Sequence, residues 1–159
     1  MRLTSQMSLA MIALLLIAAS APSRAEMAGW KVMQTSHSYG DLVQRLEMAI
    51  AGNKMGLVTR ASATVGAKQI LNKDIPGNTV IGVYRPDFAV RMLEASVPAG
   101  IEAPVRFYVT ENADGTATLS YKTPSFVFAP YADGGQALKD LAAELDIIFA
   151  KIAADAVGG

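Results

Sequence analysis

The sequence has no cysteine. That removes a disulfide framework, zinc thiolates, a thiol nucleophile and a thioether-linked lipid anchor in one step. Histidine is nearly as scarce, His37 being the single one. No G-x-S-x-G, G-x-G-x-x-G, Walker A or H-E-x-x-H spacing occurs, so hydrolase, nucleotide-enzyme and zinc-protease readings lose their usual warrants. Basic and acidic residues number 14 each, and no long run of either sign gives the basic footprint of a nucleic-acid binder. Repeats and low-complexity tracts are absent too, which argues against linkers or a second domain.

What is there begins at the N-terminus. Arg2 precedes an apolar stretch from Leu9 to Ala19, followed by Ser20, Pro22 and the small-residue pattern Ser23-Arg24-Ala25. This is the pattern of a secretory signal peptide over residues 1–25, cleaved after Ala25. The apolar stretch is short of the roughly 20 residues that a bilayer core needs, so no membrane anchor is expected after cleavage. Residues 26–159 then form one exported domain, periplasmic or secreted, large enough to build a core by packing. Loss of Arg2 and Arg24 turns the balance of 14 against 14 into 12 basic against 14 acidic residues.

Along that domain, Trp30 to Ser36 reads as a strand, and Ser38 stands three residues before Asp41 as a helix cap. Leu42, Leu46, Ala49 and Ile50 recur at helical spacing up to Gly52-Asn53, where a left-handed stop is expected. Gly56 to Ala61 is a second strand, with Ser62 capping a short helix that Asn72 ends. Thr79 to Tyr84 is an almost wholly apolar strand suited to the middle of a sheet. Pro86 fits the first position of a third helix, since its fixed φ and missing N–H cost nothing there. Val105, Phe107 and Val109 alternate with Arg106, Tyr108 and Thr110, and Thr116 to Thr123 alternates likewise across an Asn112 to Gly115 turn. Gln136 to Ala156 carries one long apolar stripe. The expected order is β-α-β-α-β-α-β-β-α.

Three candidate chemistries can be weighed on these elements. His37 between Ser36 and Ser38 lies just before a helix cap, where an exposed loop residue is the plainer reading than a Ser-His pair; no catalytic residue is assigned. Met27, Met33, Met48, Met55 and Met92 raise Cu(I), but they form no cluster and suit core filling, so neither a metal nor a cofactor is expected. The third is the sheet face opposite the helices, where Arg106, Tyr108, Thr110, Thr118, Ser120 and Lys122 fall together, with Arg60 beside them. Such a face is either solvated or suited to an anion. Tyr84 and Arg85, at a strand end before a helix, join Arg106, Tyr108 and Lys122 as candidate ligand-binding residues. Phe126, Phe128 and Tyr131, in the connection to the last helix, are candidates for covering the core, lining a pocket or meeting a partner.

The residues also carry a resemblance. Tyr84-Arg85-Pro86 at a strand-helix junction, Ala103-Pro104-Val105-Arg106 opening the next strand, the Glu111-Asn112-Ala113-Asp114-Gly115 turn, and Tyr121 with Pro124 three later resemble the domain of unknown function 302 family, from about Trp30 to Ile152. The resemblance implies an α+β fold of the TATA-box-binding-protein-like class, a curved antiparallel sheet of about five strands with helices on one face, and often a homodimer. It implies no established activity. A TATA-binding-like fold is no warrant for DNA binding, because function belongs to sites grafted on folds. The reading reached from sequence is a non-catalytic exported domain binding a small anionic or amphipathic ligand. Its rivals are an interaction module, docking a second copy or an envelope protein, and an unrecognised hydrolase resting on His37.

Overall fold

In the computed structural model, residues 27–158 are described. The signal-peptide reading of residues 1–25 lies outside them. Strand β1 (Trp30–Ser38) leads into helix α1 (Tyr39–Gly52), β2 (Gly56–Ala61), α2 (Ala63–Leu71), β3 (Asn78–Tyr84) and α3 (Pro86–Ala95). A 3-10 turn (Pro98–Glu102) then precedes β4 (Val105–Glu111), β5 (Thr116–Lys122), a short α4 (Pro124–Phe128) and the long α5 (Gly135–Val157). The order expected from sequence is present, with two 3-10 turns (Pro98–Glu102 and Ala132–Gly134) and the short α4 added. Residues 124–128 form a helix where the sequence suggests a connection, because Pro124 sits at its first turn and the Thr123 hydroxyl accepts from the Phe126 N–H.

All five strands form one antiparallel sheet in the order β1-β5-β4-β3-β2. The period-2 reading of β4 decides the layering, since Val105, Phe107 and Val109 are buried while Arg106 is exposed. Ile81 and Val83 of β3 and Ala117, Leu119 and Tyr121 of β5 share that buried side. Leu42, Leu46 and Ile50 of α1, Phe88 and Met92 of α3, and Leu138, Leu141, Phe149 and Ile152 of α5 complete the core. At its centre Phe107 stacks on Phe149 with ring centroids 4.7 Å apart, and Tyr121 closes the group at 5.1 Å from Phe107. Burial is the first cause that raises the Tyr121 phenol above its ordinary value, so it remains a neutral part of this cluster.

Local chemistry explains most boundaries, and corrects three details. Ser38 caps α1 by accepting from the Asp41 N–H, as its spacing requires. The left-handed residue after α1 is Lys54 (φ 58°), whereas Asn53 has φ −93° and uses its side-chain amide to donate to the Ala49 carbonyl. Asn72 ends α2 as expected, and does so in the left-handed conformation (φ 48°). Strand β1 continues past Ser36 to Ser38, so His37 is a half-buried strand residue whose Nε2 lies 3.3 Å from the Val157 carbonyl oxygen. It is not an exposed loop residue.

The third detail concerns Arg60. Its partner across β2 and β3 is Ile81, which faces the core, so Arg60 stands on the helix side of the sheet and its Nη1 meets Glu47 of α1 at 2.7 Å. It does not join the hydroxyl and cation face. A register shift between Leu57 and Thr59 is the reason simple alternation misplaces it.

Candidate functional site

None of the three core helices covers the other side of the sheet. Strand register places Trp30, Val32 and Gln34 of β1 opposite Lys122, Ser120 and Thr118 of β5, and pairs Tyr108 and Thr110 of β4 with those same two hydroxyl residues. On β3, Val80 pairs with Tyr108 and Gly82 with Arg106. Chain alternation and strand pairing thus gather on one surface residues far apart in the chain, from Trp30 to Lys122.

This surface is not uniformly wet. Thr118 and Ser120 are buried although no core helix lies over them, because β5 is internal and longer side chains flank it. Their hydroxyls are satisfied, Thr118 donating to the Asn112 side-chain oxygen at 2.9 Å and Ser120 reaching the Tyr108 carbonyl at 3.4 Å. A cavity of about 340 Å³ opens here, lined in part by Trp30, Glu102, Arg106, Tyr108, Ser120 and Lys122. Val80 and Val127 add apolar wall. The Lys122 ammonium lies 5.7 Å from the centre of the Trp30 ring, within cation–π range.

Two cations and one carboxylate set the electrostatics. The Arg106 side chain is 60% exposed, and its nearest acid, Glu102, stands at 4.0 Å, the outer limit of an ion pair. Glu102 is itself anchored, accepting from the Tyr131 hydroxyl at 2.8 Å. That carboxylate raises the Tyr131 phenol above its ordinary value and keeps it a proton donor. The cavity can therefore accept an anion at Arg106 and Lys122 while offering Trp30 and the valines to an apolar body.

The five residues singled out from sequence are divided by the structure. Arg106, Tyr108 and Lys122 line the cavity just described, whereas Tyr84 and Arg85 line a second one of about 30 Å³ with Phe88, Phe128 and Phe149. Arg85 is already engaged. Its Nε and Nη2 donate to the two Asp87 carboxylate oxygens at 2.7 and 3.0 Å, and its guanidinium lies 4.2 Å from the Phe88 ring centre. The same bond to Arg85 is the first cause that lowers the Asp87 pKa. The junction that reads in sequence as an open anion corner is thus internally paired.

The three aromatics after β5 have separate fates. Phe126 is half exposed and its ring packs where a side chain on Gly29 (φ 73°) would stand. Phe128 is buried in the core, and Tyr131 holds Glu102. Glu102 and Trp30 are cavity residues that do not stand out in the sequence. Trp30 reads there only as the start of a strand; its register with Lys122 is the missing signal. Glu102 precedes Arg106 by four residues, but a 3-10 turn and a strand hold them, so the helical pairing rule gives no reason to join them.

His37 has no hydrogen bond to either neighbouring serine among the described contacts, and Ser38 is committed to Asp41. Among the described residues there is no group of three or more His, Asp or Glu side chains placed to hold a metal ion. No helix among them is long and apolar enough to cross a membrane.

Comparison with known proteins reaches the same fold from another side. No curated protein matches the chain. The crystal structure of an uncharacterized conserved DUF302 protein from Bacillus stearothermophilus superimposes with a TM-score of 0.70 at 19% identity, over 79% of this chain and 96% of that one. At that identity the likeness is one of fold. The family model described as Domain of unknown function DUF302 matches residues 31–155, which takes in strands and helices from β1 to α5. The chain belongs to the DUF302 family.

Proposed function

We propose that this chain is an exported, non-catalytic binding domain that takes a small amphipathic anion on the sheet face that the core helices α1, α3 and α5 leave uncovered. The observation that carries the reading is the cavity of about 340 Å³ in which Arg106 and Lys122 stand beside Trp30, Val80 and Val127. Its volume lies at the lower end of the range of small-molecule sites, and a mostly apolar wall with a few convergent polar groups is their usual make-up. Arg106 supplies a planar donor fork to a carboxylate or phosphate, and Lys122 supplies a second positive charge. Tyr108 and Ser120 add hydroxyls on the same wall. Tyr84 and Arg85 leave this reading, because their cavity is about 30 Å³ and Arg85 is held by Asp87.

The absence of a catalytic assignment rests on chemistry rather than on the family. General acid-base or nucleophilic work needs a nucleophile and a base within hydrogen-bond reach; on the cavity wall the Ser120 hydroxyl reaches the Tyr108 carbonyl rather than a base, and the one carboxylate, Glu102, is bonded to Tyr131. Such a set suits binding better than bond cleavage.

Native mass spectrometry of the protein, purified gently from the exported fraction of its own cells, tests the reading. A reproducible added mass that disappears in Arg106→Ala, in a variant that melts like the wild type, is the expected result. A chain that carries no added mass and runs as a clean oligomer would overturn it in favour of the interaction module, with Phe126 and Val32 as the exposed apolar residues to probe.

A further inference from the structure

The open-face cavity contains a feature that a general anion site does not need. Glu102 places a carboxylate on the wall beside Arg106 and Lys122, where it opposes any incoming negative charge. Its position is built. The Tyr131 hydroxyl donates to Oε1 at 2.8 Å, while Oε2 is the oxygen that faces Arg106 at 4.0 Å. That separation is too long for a hydrogen bond, so Glu102 does not consume the donors of Arg106. It subtracts charge and leaves the fork free.

We infer that Glu102 sets the charge of the ligand, making the cavity select singly charged, carboxylate-type amphiphiles over doubly charged, phosphate-type ones. The inference rests on the binding function proposed above. Arg106, Lys122 and Glu102 are the charged side chains that line the cavity, and together they leave one net positive charge. A monoanion neutralises that surplus. A dianion overshoots it and brings its second charge against the Glu102 carboxylate. The Glu102 side chain is 28% exposed, so the opposition is only partly screened by solvent. Tyr131 contributes position rather than charge, which separates two variants that would otherwise look alike.

The probes are octanoate and octyl phosphate, which share one tail and differ in head charge at about pH 8, above the second phosphate ionisation at about 6. Titration calorimetry on the full folded domain should show wild type binding octanoate at least as tightly as octyl phosphate. Glu102→Gln should shift the ratio of the two dissociation constants by about tenfold toward the phosphate, the scale of one neighbouring charge in a partly exposed site. Glu102→Asp, which keeps the charge, should retain the wild-type order, as should Tyr131→Phe. Wild type preferring octyl phosphate would overturn the inference without any variant. Both probes binding in an Arg106-dependent way with a ratio unchanged in Glu102→Gln would remove the role of Glu102 and leave the binding function standing. Neither probe binding would overturn both together.

Discussion

Phe107 and Tyr108 are neighbours in one strand and live in different solvents. Phe107 is fully buried against Phe149 and Tyr121 under the helices, whereas Tyr108 is half buried on the face that none of the core helices covers, beside Arg106 and Ser120. The same layer of backbone thus carries hydrocarbon on one side and cations, hydroxyls and a cavity on the other. The difference teaches where change is tolerated. Packing density makes the helix side sensitive to each methylene, while the open side spends little of its area on stability and has room for recognition.

Four kinds of perturbation would break or sharpen that contrast. The largest effect belongs to the helix side, where Phe107→Ala should cost about 3–5 kcal/mol by removing the ring at the centre of the core and leaving a cavity. Urea unfolding measures it, and a loss below about 1 kcal/mol would mean that the aromatic cluster is not the centre of the fold.

Next comes a position where the open face is closely packed. A Cβ on Gly82 would collide with the Thr59 hydroxyl oxygen and stand 2.7 Å from Pro104 Cγ. Gly82→Val should therefore destabilise by about 1–3 kcal/mol through overpacking, and thermal melting with wild-type stability would show that β2 moves aside freely. By contrast, Arg106→Ala and Lys122→Ala should change stability by less than about 0.5 kcal/mol, as surface substitutions do. A melting temperature as low as that of Gly82→Val would assign these cations to structure and end the contrast between the faces.

The smallest effect is set by acid. Asp87 next to Arg85, Glu144 next to Arg91 and Asp155 next to Lys151 all have lowered pKa values, with the side-chain bond to the cation as first cause, and all three belong to the helix layer. A depressed folded-state pKa gives stability that is complete above the ordinary carboxylate range of about 4 and is lost as pH falls through the lower folded values. Melting temperature should hold from neutral pH down to that range and decline below it. Because these pairs are exposed, the decline should be shallow. Asp87→Asn should remove part of that acid slope while leaving the proposed ligand binding on the open face unaffected, and an unchanged slope would place its source outside the Arg85 pair.

Much of the fold is legible because its signals are local. Ser38 and Ser62 announce helix starts, Pro86 a first turn, Asn72 a helix end, and strict alternation in β4 names which side chains are buried. The short helix after β5 is not legible, because Pro124-Ser125-Phe126-Val127-Phe128 is only five residues long and too brief for a helical period to show. The site is half legible. Arg106, Tyr108 and Lys122 follow from alternation and hairpin register alone, since β4 and β5 are adjacent in sequence.

The rest depends on contacts between distant segments. Sequence by itself determined the order of the strands and of the four longer helices, the two-sided character of β4 and β5, and the lack of thiol, metalloprotease or nucleotide-binding motifs, all of which are properties of single elements or of composition. Only the tertiary structure decided that β1 lies beside β5 and brings Trp30 to Lys122, that a register shift turns Arg60 toward α1, that Asp87 occupies Arg85, and that Tyr131 holds Glu102 beside Arg106. Pairing between strands and the aim of a long charged side chain are set by which surfaces the core forces together, and no local pattern records that.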